Sequence, residues 1–128
     1  MIMKKKYFVI LLFLSSCANY NTQILIINCP TDGYIFTQRN YHNLKYRIIA
    51  GKSNVISIEE KIYKNNVLLS EKKENSYNSP IVPKQNAKEF IINFKEESGT
   101  NFYVVEINIS DDNENYLSDS CNINFDLP

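Results

Sequence analysis

Apolar and polar residues alternate along most of the chain after residue 22. A period of two is typical of β-strands that bury one face and leave the other in water. In residues 101–110, for example, every second position is a large apolar side chain. The segments with this pattern, or with a short continuous apolar run, are residues 23–29, 44–50, 55–64, 67–70, 88–95, 101–110 and 116–127. The pattern therefore predicts a chain of short strands.

Turn signals separate these segments. Pro30-Thr31-Asp32-Gly33 follows the first, and Asn65-Asn66 lies between two others, where asparagine tolerates the positive φ of a two-residue hairpin turn. No segment sustains a 3.6-residue apolar period for three turns. The chain is rich in Ile, Tyr, Phe and Val, which favour strands. We predict an all-β domain over residues 23–128, a single antiparallel sandwich of about seven strands.

Alternation also predicts which side chains share the core. The inward set is Leu44, Tyr46, Ile48, Ala50, Phe90, Ile92, Phe94, Tyr103, Val105, Ile107, Ile109, Leu117, Asp119, Cys121, Ile123, Phe125 and Leu127. The outward set is Lys45, Arg47, Asn93, Glu106, Asn108, Asn122 and Asn124. Glu60 shares the parity of Ile58 and Ile62, so that strand either bulges near Glu59-Glu60 or exposes its end. The polar residues 70–88 are expected to cross the surface between the sheets.

The first sixteen residues have the order of an export signal. Lys4-Lys5-Lys6 precede an unbroken apolar run, residues 7–14, which is followed by Ser15-Ser16. Eight apolar residues in a helix span about 12 Å, well short of a bilayer core of about 30 Å. We predict a signal helix that is cleaved, not a membrane-spanning one.

Leu14-Ser15-Ser16-Cys17 resembles the lipobox of bacterial lipoproteins, an aliphatic residue and two small residues before a cysteine. The resemblance implies cleavage before Cys17, which then carries a diacylglyceryl group and becomes the membrane anchor. Residues 17–22 become a lipidated tether. Ala18 replaces the aspartate that retains some lipoproteins at the inner membrane, which favours the outer membrane. An ordinary signal peptide with an incidental cysteine is the alternative.

The rest of the chain is similar to bacterial immunoglobulin-like modules over residues 24–127. Three features carry the resemblance: an aliphatic strand ending in Pro-Thr-Asp-Gly at residues 30–33, a Tyr-Lys-Asn-Asn hairpin at residues 63–66, and the alternating strand 103–111 before a closing strand. The resemblance implies an immunoglobulin-like sandwich. The chain differs from that pattern in lacking a core tryptophan and a glycine in the last turn.

Cys29 and Cys121 are an even pair once Cys17 carries lipid, as expected for disulfides in an exported domain. In immunoglobulin-like topology the first strand, after its proline, can run beside the last and bring the two sulfurs together. We therefore predict a disulfide between Cys29 and Cys121, and we expect both cysteines to lie within strands. Two buried free thiols acting as small apolar groups are the alternative.

Asp111, Asp112 and Glu114 form the densest group of acidic oxygens, a weak candidate for calcium. The run lacks the glycine of an EF-hand loop, so a solvated turn between the last two strands is the simpler interpretation. We expect no metal and no other cofactor.

Exposed aromatic residues are the remaining candidates for binding. Tyr34, Tyr41 and Tyr77 lie outside the core pattern, as do Phe36 and Phe102, although packing under loops would also explain them. His42, the sole histidine, lies in a polar loop without a serine or cysteine signature that would make it a catalytic base.

Composition narrows the function. The whole chain has 14 basic and 14 acidic residues, but the three signal lysines leave the mature part with a net charge of about −3, which argues against nucleic-acid binding. We expect a non-catalytic, lipid-anchored envelope protein with a binding or structural role. Its expected partners are the membrane, through the lipid, and an envelope or extracellular protein. The alternative is an accessory lipoprotein subunit of an envelope assembly or secretion machine.

Overall fold

A computed structural model describes residues 22–39, 43–75, 81 and 88–128, without the side chain of Asn75. These residues form an all-β domain, as predicted. The strands are β1 (Gln23–Ile26), β2 (Ile35–Phe36), β3 (Asn43–Ile49), β4 (Val55–Lys64), β5 (Val67–Asn75), β6 (Lys88–Asn93), β7 (Gly99–Asp111) and β8 (Tyr116–Leu127). The predicted signal helix lies outside the described residues, among which no helix is long and apolar enough to cross a membrane.

The strands form two sheets, in the orders β1-β3-β6 and β2-β8-β7-β4-β5. All pairings are antiparallel except that of β2, which runs parallel to β8. β1 therefore lies in the smaller sheet, and the chain crosses to the larger one between β1 and β2. This is an immunoglobulin-like sandwich with eight strands, where the sequence predicted about seven. The additional element is β2, which has only two residues and no alternation to reveal it.

The core lies between the inner faces of the two sheets. β3 contributes Leu44, Tyr46 and Ile48, all with no exposed surface. β7 contributes four alternate side chains and is paired along both edges, to β4 and to β8. The buried residues from the predicted inward set are Leu44, Tyr46, Ile48, Ala50, Ile92, Phe94, Tyr103, Val105, Ile107, Ile109, Cys121, Ile123, Phe125 and Leu127, with Phe90 partly buried against them. Alternation therefore predicted these faces correctly.

The first half of β8 departs from the prediction. Leu117 keeps 39% of its surface exposed and Asp119 is exposed, although both share the parity of the buried Cys121. Leu117 lines an open groove, not the core. Alternation identifies the residues that share a face, but it does not say how far the opposite sheet covers that face.

β4 accommodates Glu60 without a bulge at that point. Glu60 is partly buried, and the Tyr46 hydroxyl donates a hydrogen bond of 2.7 Å to its Oε2 atom. The register shifts occur elsewhere, between Val55 and Ser57 against β7 and between Ile62 and Tyr63 against β5. The sequence predicted a bulge near Glu59-Glu60 or an exposed strand end; the pairing is regular at these two residues, and a tyrosine from the facing sheet binds the Glu60 carboxylate.

The predicted turn at Asn65-Asn66 is confirmed, with φ of 49° and 68°. The strand after it, however, is longer than predicted. β5 continues through the charged residues 71–74 to Asn75, where the sequence suggested a surface crossing. Polar side chains are compatible with a strand whose faces are largely in water.

The residues that were predicted to face outward differ in their exposure. Arg47, Asn93 and Asn122 are exposed, whereas Lys45, Glu106, Asn108 and Asn124 are only partly so. Asn108 is the clearest exception, since its amide group donates to Glu59 Oε1 at 3.2 Å and to Glu106 Oε1 at 2.9 Å. Its carbonyl oxygen accepts from Ser118. Asn108 therefore links three neighbouring strands on the outer face of the larger sheet.

Ile107→Ala is expected to lower the free energy of unfolding by about 2–5 kcal/mol, because it opens a cavity in the middle of the core. Asn122→Ala, on the exposed face of β8, serves as the control and should change it by no more than about 0.5 kcal/mol. Denaturant melts of the two variants measure the difference. Equal losses would contradict the register of β7 and β8.

Tyr46→Phe is expected to lower the free energy of unfolding by about 1.5–3 kcal/mol, the range for a hydrogen bond to a charged group. The reason is that the variant leaves the partly buried Glu60 carboxylate without its donor. Burial and the adjoining Glu60 raise the pKa of Tyr46 above its usual value, so the tyrosine remains a donor at neutral pH. A double-mutant cycle with Glu60→Ala isolates the contact, because a glutamine would still accept a hydrogen bond from the Tyr46 hydroxyl. Additive losses in that cycle would show that the two side chains do not interact.

Candidate functional site

A disulfide joins the segment after β1 to β8. Cys29 and Cys121 are bonded through their sulfurs, with 5.8 Å between their Cα atoms and a separation of 92 positions in sequence. Cys121 lies in β8 and is buried, whereas Cys29 is exposed and lies after β1, not within a strand as predicted. It occupies the segment where the chain crosses between sheets. The bridge therefore ties that crossing to β8.

A groove of about 380 Å³ lies at the end of the sandwich where β1 begins. The groove is lined by Thr22, Lys52, Ser53, Ile109, Ser110, Asp111, Asn113, Asn115, Tyr116 and Leu117. Thr22 is tied to this end because the Gly51 N–H donates to its Oγ1 atom at 3.1 Å. Tyr116 keeps 81% of its surface exposed. The groove thus combines polar and aliphatic side chains with one projecting aromatic ring.

Asp111 organises the turn between β7 and β8. Its Oδ1 atom accepts hydrogen bonds of 2.9 Å from the backbone N–H groups of both Asn113 and Asn115. Its Oδ2 atom accepts one of 3.1 Å from the Asn115 side chain. Burial of the carboxyl acts to raise its pKa, but these bonds from Asn115 and Asn113 outweigh burial and hold the pKa below the usual 3.8.

The calcium candidate does not assemble around this carboxylate. Asp112 and Glu114 are exposed, and Asp111 is already bonded within the turn. Nowhere in the part of the chain that the structure describes do three His, Cys, Asp or Glu side chains lie close enough to hold a metal ion. The geometry of Asp111 is that of a residue that caps its own turn.

Of the predicted aromatic candidates, the structure describes Tyr34, Phe36 and Phe102. Tyr34 is exposed and packs edge-on against Phe36, with 4.8 Å between the ring centroids, and Phe36 lies 5.5 Å from Phe125 in the core. Phe102 is partly buried on β7, which β8 separates from β2. Tyr41, Tyr77 and His42 lie outside the described residues. Tyr34 is therefore an exposed ring supported by a core aromatic, not part of a shared cluster.

Three consecutive aliphatic residues on β5 form a surface that the sequence analysis did not single out. Val67, Leu68 and Leu69 are all exposed, on the last strand of the larger sheet. Their signal in the sequence is a run of three apolar residues that breaks the alternation seen elsewhere. Tyr116 was also missed, because alternation alone does not mark an exposed residue at the start of a strand.

Comparisons with known proteins match the architecture alone. No protein-family model matches the chain, and no curated protein matches it by sequence. Among solved structures it is similar to CopC from Methylosinus trichosporium OB3b, with 14% identity over 82% of this chain and 95% of that chain and a TM-score of 0.47. A likeness at this level carries no information about a ligand or an activity.

Asp111→Ala is expected to lower the free energy of unfolding by about 1–3 kcal/mol at pH 7, because it removes the acceptor for two backbone N–H groups. A depressed pKa in the folded state means that the stabilisation is present above pH 3.8 and is lost as pH falls through the folded value. The difference in free energy of unfolding between wild type and variant should therefore become smaller in melts below about pH 4. Asp112→Ala is the matched control, and an equal loss in that exposed neighbour would contradict this role.

Proposed function

We propose that this protein is a small, non-catalytic, lipid-anchored cell-envelope protein that acts by binding. The observation that supports the proposal best is the bridge between Cys29 and Cys121. Disulfides form and persist in oxidising compartments outside the cytoplasm. The bridge therefore agrees with the export pattern of residues 1–16, although the two features lie in separate parts of the chain and arise from unrelated chemistry.

Cys17 is the anchor in this proposal. The lipobox pattern places diacylglycerol on its thiol, and two or more acyl chains give stable membrane attachment at about 0.8 kcal/mol per buried CH₂. Thr22 follows Cys17 by five residues, which span at most about 18 Å when extended. Such a tether keeps the sandwich close to the bilayer. Ala18 after the cysteine favours the outer membrane.

The short tether also orients the domain. Thr22 lies at the end of the sandwich that carries the groove and the Asp111 turn, so this end faces the membrane. β7 runs from the opposite end, where Asn65 donates its backbone N–H to the Phe102 carbonyl at 2.9 Å. Arg39 reinforces that distal end by donating to Ser98 Oγ and the Pro128 carbonyl, both at 2.8 Å. The distal end is the one presented to partners.

The arrangement of the acidic residues supports a role without catalysis. A glycoside-cleaving pair needs two carboxylates that face one cleft. Glu60 points towards the core and is bonded to Tyr46, while Glu59 accepts from Asn108 on the outer face. The two neighbours on β4 therefore lie on opposite sides of the sheet.

A second candidate function is that of an accessory lipoprotein subunit in an envelope assembly. The exposed edge of β5 favours it, because an unpaired strand with aliphatic side chains can add a strand from another protein. This candidate shares the anchor and differs in having one dedicated partner.

Cys17→Ala is expected to remove the protein from the membrane fraction or to leave it as an uncleaved precursor, because the lipid has no other attachment point. Fractionation followed by mass measurement of the N-terminal peptide reads both outcomes. Asn19→Ala, a change in the tether that leaves the cysteine in place, is the control and should remain lipidated. Mature-sized, membrane-bound protein in the Cys17→Ala variant would refute lipid anchoring.

A further inference from the structure

β5 is one of the two edge strands of the larger sheet as the structure describes it, and β2 is the other. β5 pairs with β4 on one side, and no strand among the described residues pairs with its other side. Such an edge presents backbone N–H and C=O groups that a further strand can satisfy. These groups therefore bind a partner chain in an extended, strand-like conformation.

The two halves of β5 differ in how they are protected. Residues 71–74 read Glu-Lys-Lys-Glu, the kind of charged edge that discourages indiscriminate pairing. The half next to the Asn65-Asn66 turn has no such protection. There Val67 keeps 68% of its surface exposed and Leu69 keeps 60%. The aliphatic half lies at the distal end of the domain, away from the proposed anchor.

The backbone is irregular where the aliphatic half begins. Ile62 pairs with Ser70 and Tyr63 with Leu68, so Leu69 is the extra residue of a bulge. Leu69 also lines a cleft of about 220 Å³ that has Phe94 and Tyr103 among its walls. The other walls include the charged Lys64 and Glu97, so a partner strand on this edge would lie beside a recess that combines apolar and charged side chains.

The pairing of β4 with β5 shows which charge pattern is complementary to β5. In the β4–β5 register Glu59 faces Lys73, Glu60 faces Lys72, and Lys61 faces Glu71. The next positions along β4 are the apolar Ile62 and Tyr63, opposite Ser70 and Leu68. Opposite charges across paired strands stabilise the pairing, and like charges oppose it. A strand complementary to β5 therefore reads acidic, acidic, basic and then apolar.

A second copy of β5 does not meet this requirement. In a two-fold antiparallel pairing that sets Leu68 opposite Leu68, the charged residues extend past the partner's turn and face no strand. A pairing that sets Glu71 opposite Lys72 instead places Leu69 opposite Glu74 and Leu68 opposite Asn75. No single register satisfies both halves of the strand.

We propose that the β5 edge binds an extended segment of another envelope protein by antiparallel strand addition, with the pattern acidic-acidic-basic-apolar-apolar. The proposal deepens the proposed function and rests on it for the partner's location in the envelope. Charge order selects the segment, and the aliphatic half of β5 with the recess at Leu69 contributes the apolar contact.

The test uses the purified full chain in detergent and a fluorescein-labelled peptide with the sequence of residues 56–64, which carries the complementary pattern. Fluorescence anisotropy should show saturable binding. A peptide with its Glu-Glu-Lys changed to Lys-Lys-Glu should bind at least about tenfold more weakly, because three favourable cross-strand pairs become unfavourable. Hydrogen exchange should slow in residues 67–75 when the first peptide is bound.

The variant Val67→Lys/Leu69→Lys places charge on the aliphatic half and should weaken peptide binding by at least about tenfold. Leu25→Lys/Ile27→Lys, the same double change at exposed positions in β1 and directly after it, should leave binding unchanged. Equal binding of both peptides, undiminished binding by the β5 variant, or slowed exchange elsewhere would overturn the proposal. So would a dimer of the full chain that the β5 variant dissociates. Because the assay involves no membrane, failure of lipid anchoring at Cys17 would leave its result unaffected.

Discussion

The structure depends on burial of the inner face of β7. This strand has 13 residues, is paired along both edges, and directs Tyr103, Val105, Ile107 and Ile109 into the space between the sheets. Its register places β4 and β8 on either side, and their apolar faces then meet Leu44, Tyr46 and Ile48 of the smaller sheet. A one-residue slip of β7 would turn all four side chains into water, so this burial holds the sheet in one register.

The two lateral sides of the sandwich are different in character. On one side the chain crosses from β1 to β2, and the disulfide between Cys29 and Cys121 fixes this crossing to β8. In the chain-entropy description, closing a loop of this length contributes about 4–5 kcal/mol. On the other side β5 and β6 are both edge strands. There the Lys88 Nζ atom lies 3.7 Å from the Glu74 Oε2 atom, which forms an ion pair between the two sheets. The disulfide therefore closes one side of the sandwich, and the strand addition that we propose uses the other.

Two polar contacts show how this small domain tolerates charge near its core. Glu60 occupies an inward position on β4 and is satisfied by a tyrosine from the facing sheet, whereas Asp111 is satisfied by the turn that it caps. Buried polar groups need such partners, since an unsatisfied one costs about 1–3 kcal/mol. The Asp111 partners are local, within four residues. The Glu60 partner is fourteen residues away and on the other sheet, so no local pattern could identify it.

Local backbone geometry is what the sequence determined by itself. Strand alternation assigned the inward faces of β3, β7 and the second half of β8, and two asparagines marked the turn before β5, because side-chain direction and turn conformation depend on adjacent residues. Tertiary structure alone decided how far each face is covered. It left Leu117 and Asp119 in water, paired Tyr46 with Glu60, extended β5 through its charged half and exposed the aliphatic edge. Each of these outcomes depends on which distant segment arrives opposite a residue, and alternation carries no information about that.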